Sequence, residues 1–231
     1  MDTSNEKYSG VNNLEVLVEA KNYNNFLKSQ VLLNSQGAKT ALDFGAGIGT
    51  FSIALKDMGL QVISVEPDQD LLKRLKMLGL EAHSSLDDIA PGSIDYIYSL
   101  NVLEHIEDDL QTLKKLCTRL RPGGRFFLYV PAFNVLYSSM DRKVGHFRRY
   151  KKSPLVALVQ DAGFRIESAI YVDCLGFFAS LVFKLIGNKE GDLDRGMVKL
   201  YDVLVFPLSR ILDRVLGGLF GKNLMISSYR T

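Results

Sequence analysis

At 231 residues, 47% of them hydrophobic, the chain is long enough to bury a core and reads as one large domain or a domain with an appendage. A formal net charge of +2 decides neither for nor against nucleic acid, and no uninterrupted apolar run approaches the roughly 20 residues of a membrane-spanning helix. Two cysteines, Cys117 and Cys174, lack metal-ligand spacing and suit a reduced, cytoplasmic setting, and the polar start from Met1 to Lys7 carries no apolar signal-peptide segment.

In chain order, Leu14, Val16, Leu17, Ala20, Tyr23, Phe26, Leu27 and Val31 recur at helical spacing and predict a helix over 11–36. A buried strand over 40–44 breaks into a glycine-rich turn, and a helix follows over about 50–58. Strand 61–65 ends at Glu66, with a helix near 68–77. A short third strand is predicted at 81–84, a fourth at 95–100, and an amphipathic helix at 107–120, which Pro122-Gly123-Gly124 punctuates. Strand 125–130 leads into a long connection over 132–150. Helix 155–162 and strand 164–172 follow, and a last strand is predicted at 224–229. This alternation predicts an α/β fold, a Rossmann-like, doubly wound, mostly parallel sheet of seven strands with ligands at the carboxyl ends. The implied division is a helical cap over 1–38, a core over 39–173, a helical insertion over 174–223 and a final core strand over 224–231.

The first strand and turn, Ala41-Leu42-Asp43-Phe44-Gly45-Ala46-Gly47-Ile48-Gly49-Thr50, select the ligand. Glycines let backbone N–H groups approach a ligand with no Cβ between them. Glu66 follows Gly47 at the spacing where a nucleoside-binding α/β fold places the acid that grips ribose hydroxyls. A dinucleotide turn wants Gly or Ala where this chain has Thr50, and Asp43 would repel a pyrophosphate. The same carboxylate would attract an ammonium group. S-adenosylmethionine, which carries an ammonium, a sulfonium and a ribose diol, therefore fits better than NAD.

These residues resemble the class I S-adenosylmethionine-dependent methyltransferases, whose first motif is matched at Asp43, Gly45, Gly47 and Gly49. The resemblance runs from about Tyr23 to Phe164, through Glu66-Pro67-Asp68, the stretch Asp95 to His105, and Leu120-Arg121-Pro122-Gly123-Gly124. It implies that the last two strands form an antiparallel edge. It also implies that Asp43, Gly45, Ala46 and Gly47 line the methionine end of the donor. Glu66 would hold the ribose, Pro67, Ser85 and Leu86 would meet the adenine, and the Asn101 carbonyl would face the donor amine. Two further segments, Ala20-Lys21-Asn22-Tyr23-Asn24-Asn25-Phe26 and His146-Phe147-Arg148-Arg149-Tyr150, are similar to a bacterial subgroup often met beside glycosyltransferases and polysaccharide enzymes. In that subgroup Tyr23 and Asn24 would lie over the donor.

On the acceptor side, an oxygen of high pKa needs a base. His146 is the first candidate, as base or positioning group, with Tyr150 and His105 beside it and Asp141 as the alternative base; His83 reads as structural. Arg148 and Arg149 would grip an anionic acceptor. No metal site is expected. The apolar stripe from Met197 to Leu219, with Pro207 expected to kink it, leaves three readings of the insertion: a lid, a homodimer interface, or a membrane-surface element that meets a lipid-linked acceptor at the inner face of the membrane. The function expected is methyl transfer to a small-molecule or glycan-type acceptor, most simply at oxygen, with S-adenosylhomocysteine as product and no nucleic-acid partner. Methylation of protein or RNA, or a non-catalytic donor-binding module, are the alternatives.

Overall fold

Val, Ile, Phe and Tyr crowd the segments over 94–100 and 125–131, as expected of central strands covered on both sides, whereas the edge strand over 164–172 keeps Arg165, Glu167 and Ser168 exposed. The computed structural model describes residues 11–186, 191–216 and 218–231. Its elements run α1 (Val11–Leu17), α2 (Lys21–Asn34), β1 (Thr40–Phe44), α3 (Thr50–Asp57), β2 (Gln61–Val65), α4 (Gln69–Met77), β3 (Glu81–His83), β4 (Ile94–Leu100), α5 (Asp109–Arg119), β5 (Leu120–Pro131), α6 (Ser139–Val144), α7 (Lys152–Asp161), β6 (Phe164–Val172), α8 (Cys174–Ile186), α9 (Arg195–Leu200), α10 (Phe206–Leu216) and β7 (Asn223–Arg230). The seven strands order as β3-β2-β1-β4-β5-β7-β6. The first five are mutually parallel, and β7 runs antiparallel to both β5 and β6. The expected fold class is the one found.

Alternation along the central strands divides the core into two layers. Phe126, Leu128 and Val130 face α5 and α7 through Leu113, Leu116, Leu155 and Val159. Phe127 and Tyr129 face the opposite side, where Leu27 and Val31 of α2 and Leu55 of α3 cover them. Both layers leave the carboxyl ends of β1, β2 and β4 together on one rim of the sheet.

Three local expectations change. The single helix over 11–36 is two helices with a corner at Val18–Ala20, where the Asn24 amide donates to the Leu17 carbonyl at 2.8 Å. The amino end of α2 has no local cap; instead Asp202 accepts the backbone N–H groups of Asn22 and Tyr23 at 2.9 and 2.8 Å. A carboxylate at a helix amino end satisfies orphan donors and complements the helix dipole. The strand predicted from residue 125 begins at Leu120: Pro122-Gly123-Gly124 lie within β5, beside a register shift opposite Ile94 and Tyr96. The irregularity expected at Pro207 takes the form of a π turn over Tyr201–Val205, in which the Phe206 N–H reaches back to the Tyr201 carbonyl. That turn accommodates the missing proline N–H without ending the helix.

Candidate functional site

The glycine turn owes its shape to positive φ at Gly45 (82°), Gly47 (54°) and Gly49 (84°). At Gly45 a Cβ would come within 2.2 Å of the Val102 side chain, so only glycine fits there. The Gly45 and Ala46 N–H groups donate to the Val65 carbonyl at 2.9 and 3.2 Å, which fastens the turn to the end of β2. Glu66 is thereby placed directly across the turn. Its Oε2 accepts the Gly47 N–H at 2.8 Å and its Oε1 the Asp68 N–H at 3.0 Å.

Both acids of the turn are buried. Asp43 accepts the Ser52 hydroxyl at 2.6 Å, and Ser52 lies 2.9 Å from the Ser64 hydroxyl. Burial pushes the Asp43 carboxyl up to about 6, against the Ser52 hydrogen bond that favours the charged form. Burial also raises Glu66, opposed by its two backbone donors. Two acids whose charge is disfavoured by burial are suited to a cationic ligand. Ser52 and Ser64 were not singled out from sequence; Ser52 lies in the first turn of α3, where a serine facing a buried strand acid is the signal.

At the end of β4, Asn101 adopts φ 54° and its N–H donates to the Tyr129 carbonyl at 2.8 Å. The chain then turns through Leu103-Glu104-His105 towards the connection after β5. Glu104 is wholly buried, with no hydrogen bond to either carboxyl oxygen, and burial pushes its carboxyl up to about 8. His146 Nδ1 lies 2.7 Å from Asp141 Oδ1, and His146 Nε2 lies 3.8 Å from Glu104 Oε1. The His105 ring stands edge-on to His146 with centroids 4.5 Å apart; burial, then the neighbouring His146, lowers its pKa to about 4. Ligand atoms of Glu104, His105 and His146 all lie within 4.8 Å of one another, a separation that a metal ion could bridge. Nothing in a Glu-His pair and a histidine one loop later had the spacing of a metal motif.

The loop arginines depart from the expected anion grip. Arg149 is buried and holds Asp141 through Nε at 2.8 Å and Nη2 at 3.0 Å. Despite burial, that guanidinium and the His146 hydrogen bond keep Asp141 well below the usual carboxylate range. Arg148 bonds Asp109 at 2.9 Å and the Glu107 carbonyl at 2.8 Å. The Tyr150 hydroxyl is likewise engaged beneath the loop, 3.2 Å from the Leu103 carbonyl and 3.1 Å from Asp109. Arg148 and Tyr150 tie the connection to the start of α5 and the turn after β4, while Arg149, a buried charge that needs a partner, finds it in Asp141 within the connection.

The structure therefore groups Asp43, Gly45, Ala46, Gly47 and Glu66 around the turn, with Pro67 exposed just beyond. It groups Glu104, His105, His146 and Asp141 around the end of β4. Tyr23 packs edge-on against Tyr129 and Phe206, with ring centroids 6.3 and 5.5 Å away, and burial raises its hydroxyl to about 12. Asn24 braces the α1–α2 corner. Ser85 caps a short turn through the Asp87 N–H, while Leu86 is buried in the core and its carbonyl accepts Arg119 Nε at 3.0 Å.

A family model described as "Methyltransferase domain" matches residues 20–169. Ubiquinone biosynthesis O-methyltransferase of Xanthomonas campestris pv. campestris (strain B100) is 33% identical over 97 residues, 38% of this chain and 41% of that protein. The corresponding protein of Xanthomonas euvesicatoria pv. vesicatoria is 26% identical over 158 residues, 58% of this chain and 66% of that one. The chain thus spans about two fifths of the length of the first of these relatives, and two thirds of the second. Among solved structures, an S-adenosylmethionine-dependent methyltransferase of Thermotoga maritima, described as a possible histamine N-methyltransferase, aligns with a TM-score of 0.63 at 14% identity, covering 93% of this chain and 92% of that one. One from Archaeoglobus fulgidus aligns with a TM-score of 0.60 at 15% identity, covering 90% and 94%; at these identities the likeness is one of fold. With the family match over most of the chain, the glycine turn and its two acids, the protein belongs to the class I S-adenosylmethionine-dependent methyltransferases.

Proposed function

We propose that this methyltransferase acts on an oxygen of a small-molecule acceptor presented to Glu104, His105 and His146. The observation that carries this reading is the Asp141–His146 pair. With Nδ1 held 2.7 Å from a carboxylate, the imidazole keeps its Nε2 turned towards Glu104. An imidazole so fixed, with Nδ1 engaged, has Nε2 as the nitrogen left to take a proton. In the reaction the acceptor oxygen forms a bond to the donor methyl carbon while the carbon–sulfur bond breaks and its electron pair stays on sulfur. S-adenosylhomocysteine leaves, and the acceptor proton passes to His146 Nε2. The donor carbon is already activated, so alignment and this one proton are what the protein supplies. The O-methyltransferase names of the partial relatives support oxygen as the atom methylated. In this reading the insertion, which packs on Tyr23 through Phe206, covers the acceptor side.

His146→Ala tests the assignment. Turnover should fall on the order of a hundredfold or more, while donor affinity by calorimetry stays within about twofold. An undiminished rate removes His146 as the base, and a parent protein that binds no S-adenosylmethionine overturns the donor site itself.

A further inference from the structure

The segment from α9 through the π turn to α10 is a helix turned inside out. Three of its polar side chains face the protein: Asp202 caps α2, Ser209 is fully buried and accepts the Leu175 N–H at 3.0 Å, and Asp213 accepts the N–H groups of Asp173 and Cys174 at 2.8 and 2.9 Å. Its outward face is apolar. Met197, Leu200, Leu204, Leu208, Ile211 and Val215 recur in steps of three and four, which keeps them on one side, and each is more than half exposed. The helix is on the order of 30 Å long, and α8, packed beside it, exposes Phe178, Val182 and Leu185. Isolated exposed apolar residues are ordinary, but a continuous face of this length marks an interaction surface.

Charge identifies the occupant. Along residues 194–219, among the described residues, the exposed charged side chains are Arg195, Lys199 and Arg214 and one acid, Asp194, which is engaged in capping α9 through the Met197 N–H at 2.8 Å; the other two acids, Asp202 and Asp213, are held inward by the bonds above. A second copy meeting this face would bring like charge against like, whereas an anionic bilayer would complement it. Among the described residues, no helix is long and apolar enough to cross a membrane. We infer that the α9–α10 face lies on the surface of an anionic lipid bilayer, apolar side chains in the acyl boundary and the three basic groups at the headgroups. This goes beyond the methyl-transfer reading and does not depend on it.

Flotation of the full chain with phosphatidylglycerol-rich and with pure phosphatidylcholine vesicles tests it. Binding should be at least about tenfold tighter to the anionic vesicles, from three basic groups near the surface, and should weaken in 0.5 M salt. Leu204→Glu with Ile211→Glu, both at exposed positions, should abolish binding while circular dichroism and donor affinity stay unchanged. Lys199→Glu with Arg214→Glu should erase the preference for anionic lipid. Absence of binding to either vesicle overturns the inference. So does a concentration-dependent dimer, seen by sedimentation without vesicles, that the Leu204 and Ile211 pair disrupts.

Discussion

Asp43 is the residue at which donor binding and pH meet. Burial raises its carboxyl from 3.8 to about 6. In the free protein it therefore contributes stability that is complete below about pH 4 and lost as pH rises through about 6, since the folded state holds the proton longer than the unfolded one. In the proposed donor site, a cationic end beside Asp43 would reverse the preference by favouring the carboxylate. Donor affinity should consequently weaken below pH 6, by up to about tenfold per pH unit for one linked proton. Asp43→Asn should flatten that profile in calorimetry, and a profile identical to the parent's would detach Asp43 from the donor. Glu66 acts by position, already aimed across the turn by the Gly47 and Asp68 N–H groups. Glu66→Ala should cost about tenfold to a hundredfold in donor affinity, the value of hydrogen bonds to a charged group. Equal affinity of variant and parent would move the ribose contact elsewhere.

The α2 amino end illustrates what an element can owe to a distant residue. Asn22 and Tyr23 offer backbone N–H groups with no serine, threonine or aspartate before them, and Asp202 supplies the carboxylate from the insertion. Asp202→Ala leaves two part-buried donors orphaned and a buried pocket unfilled and should lower stability by about 1–3 kcal/mol, read as a lower urea midpoint at constant slope. An unchanged midpoint would mean that water replaces the cap. No periodicity in α2 announces this contact, because capping signals are local in sequence and this cap is not. By contrast, the strands over 40–44, 61–65 and 164–172 were legible to the residue, because apolar and β-branched residues fill them and glycines or an acid mark their ends, even though the middle of β6 is exposed. Arg148 and Arg149 were the reverse case: two arginines in a basic loop suggest a rim for anions, and only tertiary packing reveals that Asp109 and Asp141 already neutralise them.

For the molecule as a whole, the donor half was written in contiguous sequence. One strand, one turn and the acid ending the next strand carry it, and the parallel pairing of β1 with β2 brings those pieces together wherever the fold forms. The proposed acceptor half is assembled from pieces far apart in the chain, Glu104 from the end of β4 and His146 with Asp141 from the loop after β5, so the cluster exists only when the loop docks. The insertion belongs to this second kind. Its apolar stripe was visible in sequence, but which way the stripe faces was settled by Asp202, Ser209 and Asp213 turning inward.

The insertion also leaves and rejoins the sheet at a single point: the Asp173 carbonyl, at the end of β6, accepts the Lys222 N–H at 2.9 Å just before β7 begins. A detour whose two ends are knotted together in this way can be lengthened, shortened or exchanged without altering how β6 and β7 pair. A different detour could therefore be carried at this point while the pairing of β1 with β2, which holds the glycine turn against Glu66, stays as it is.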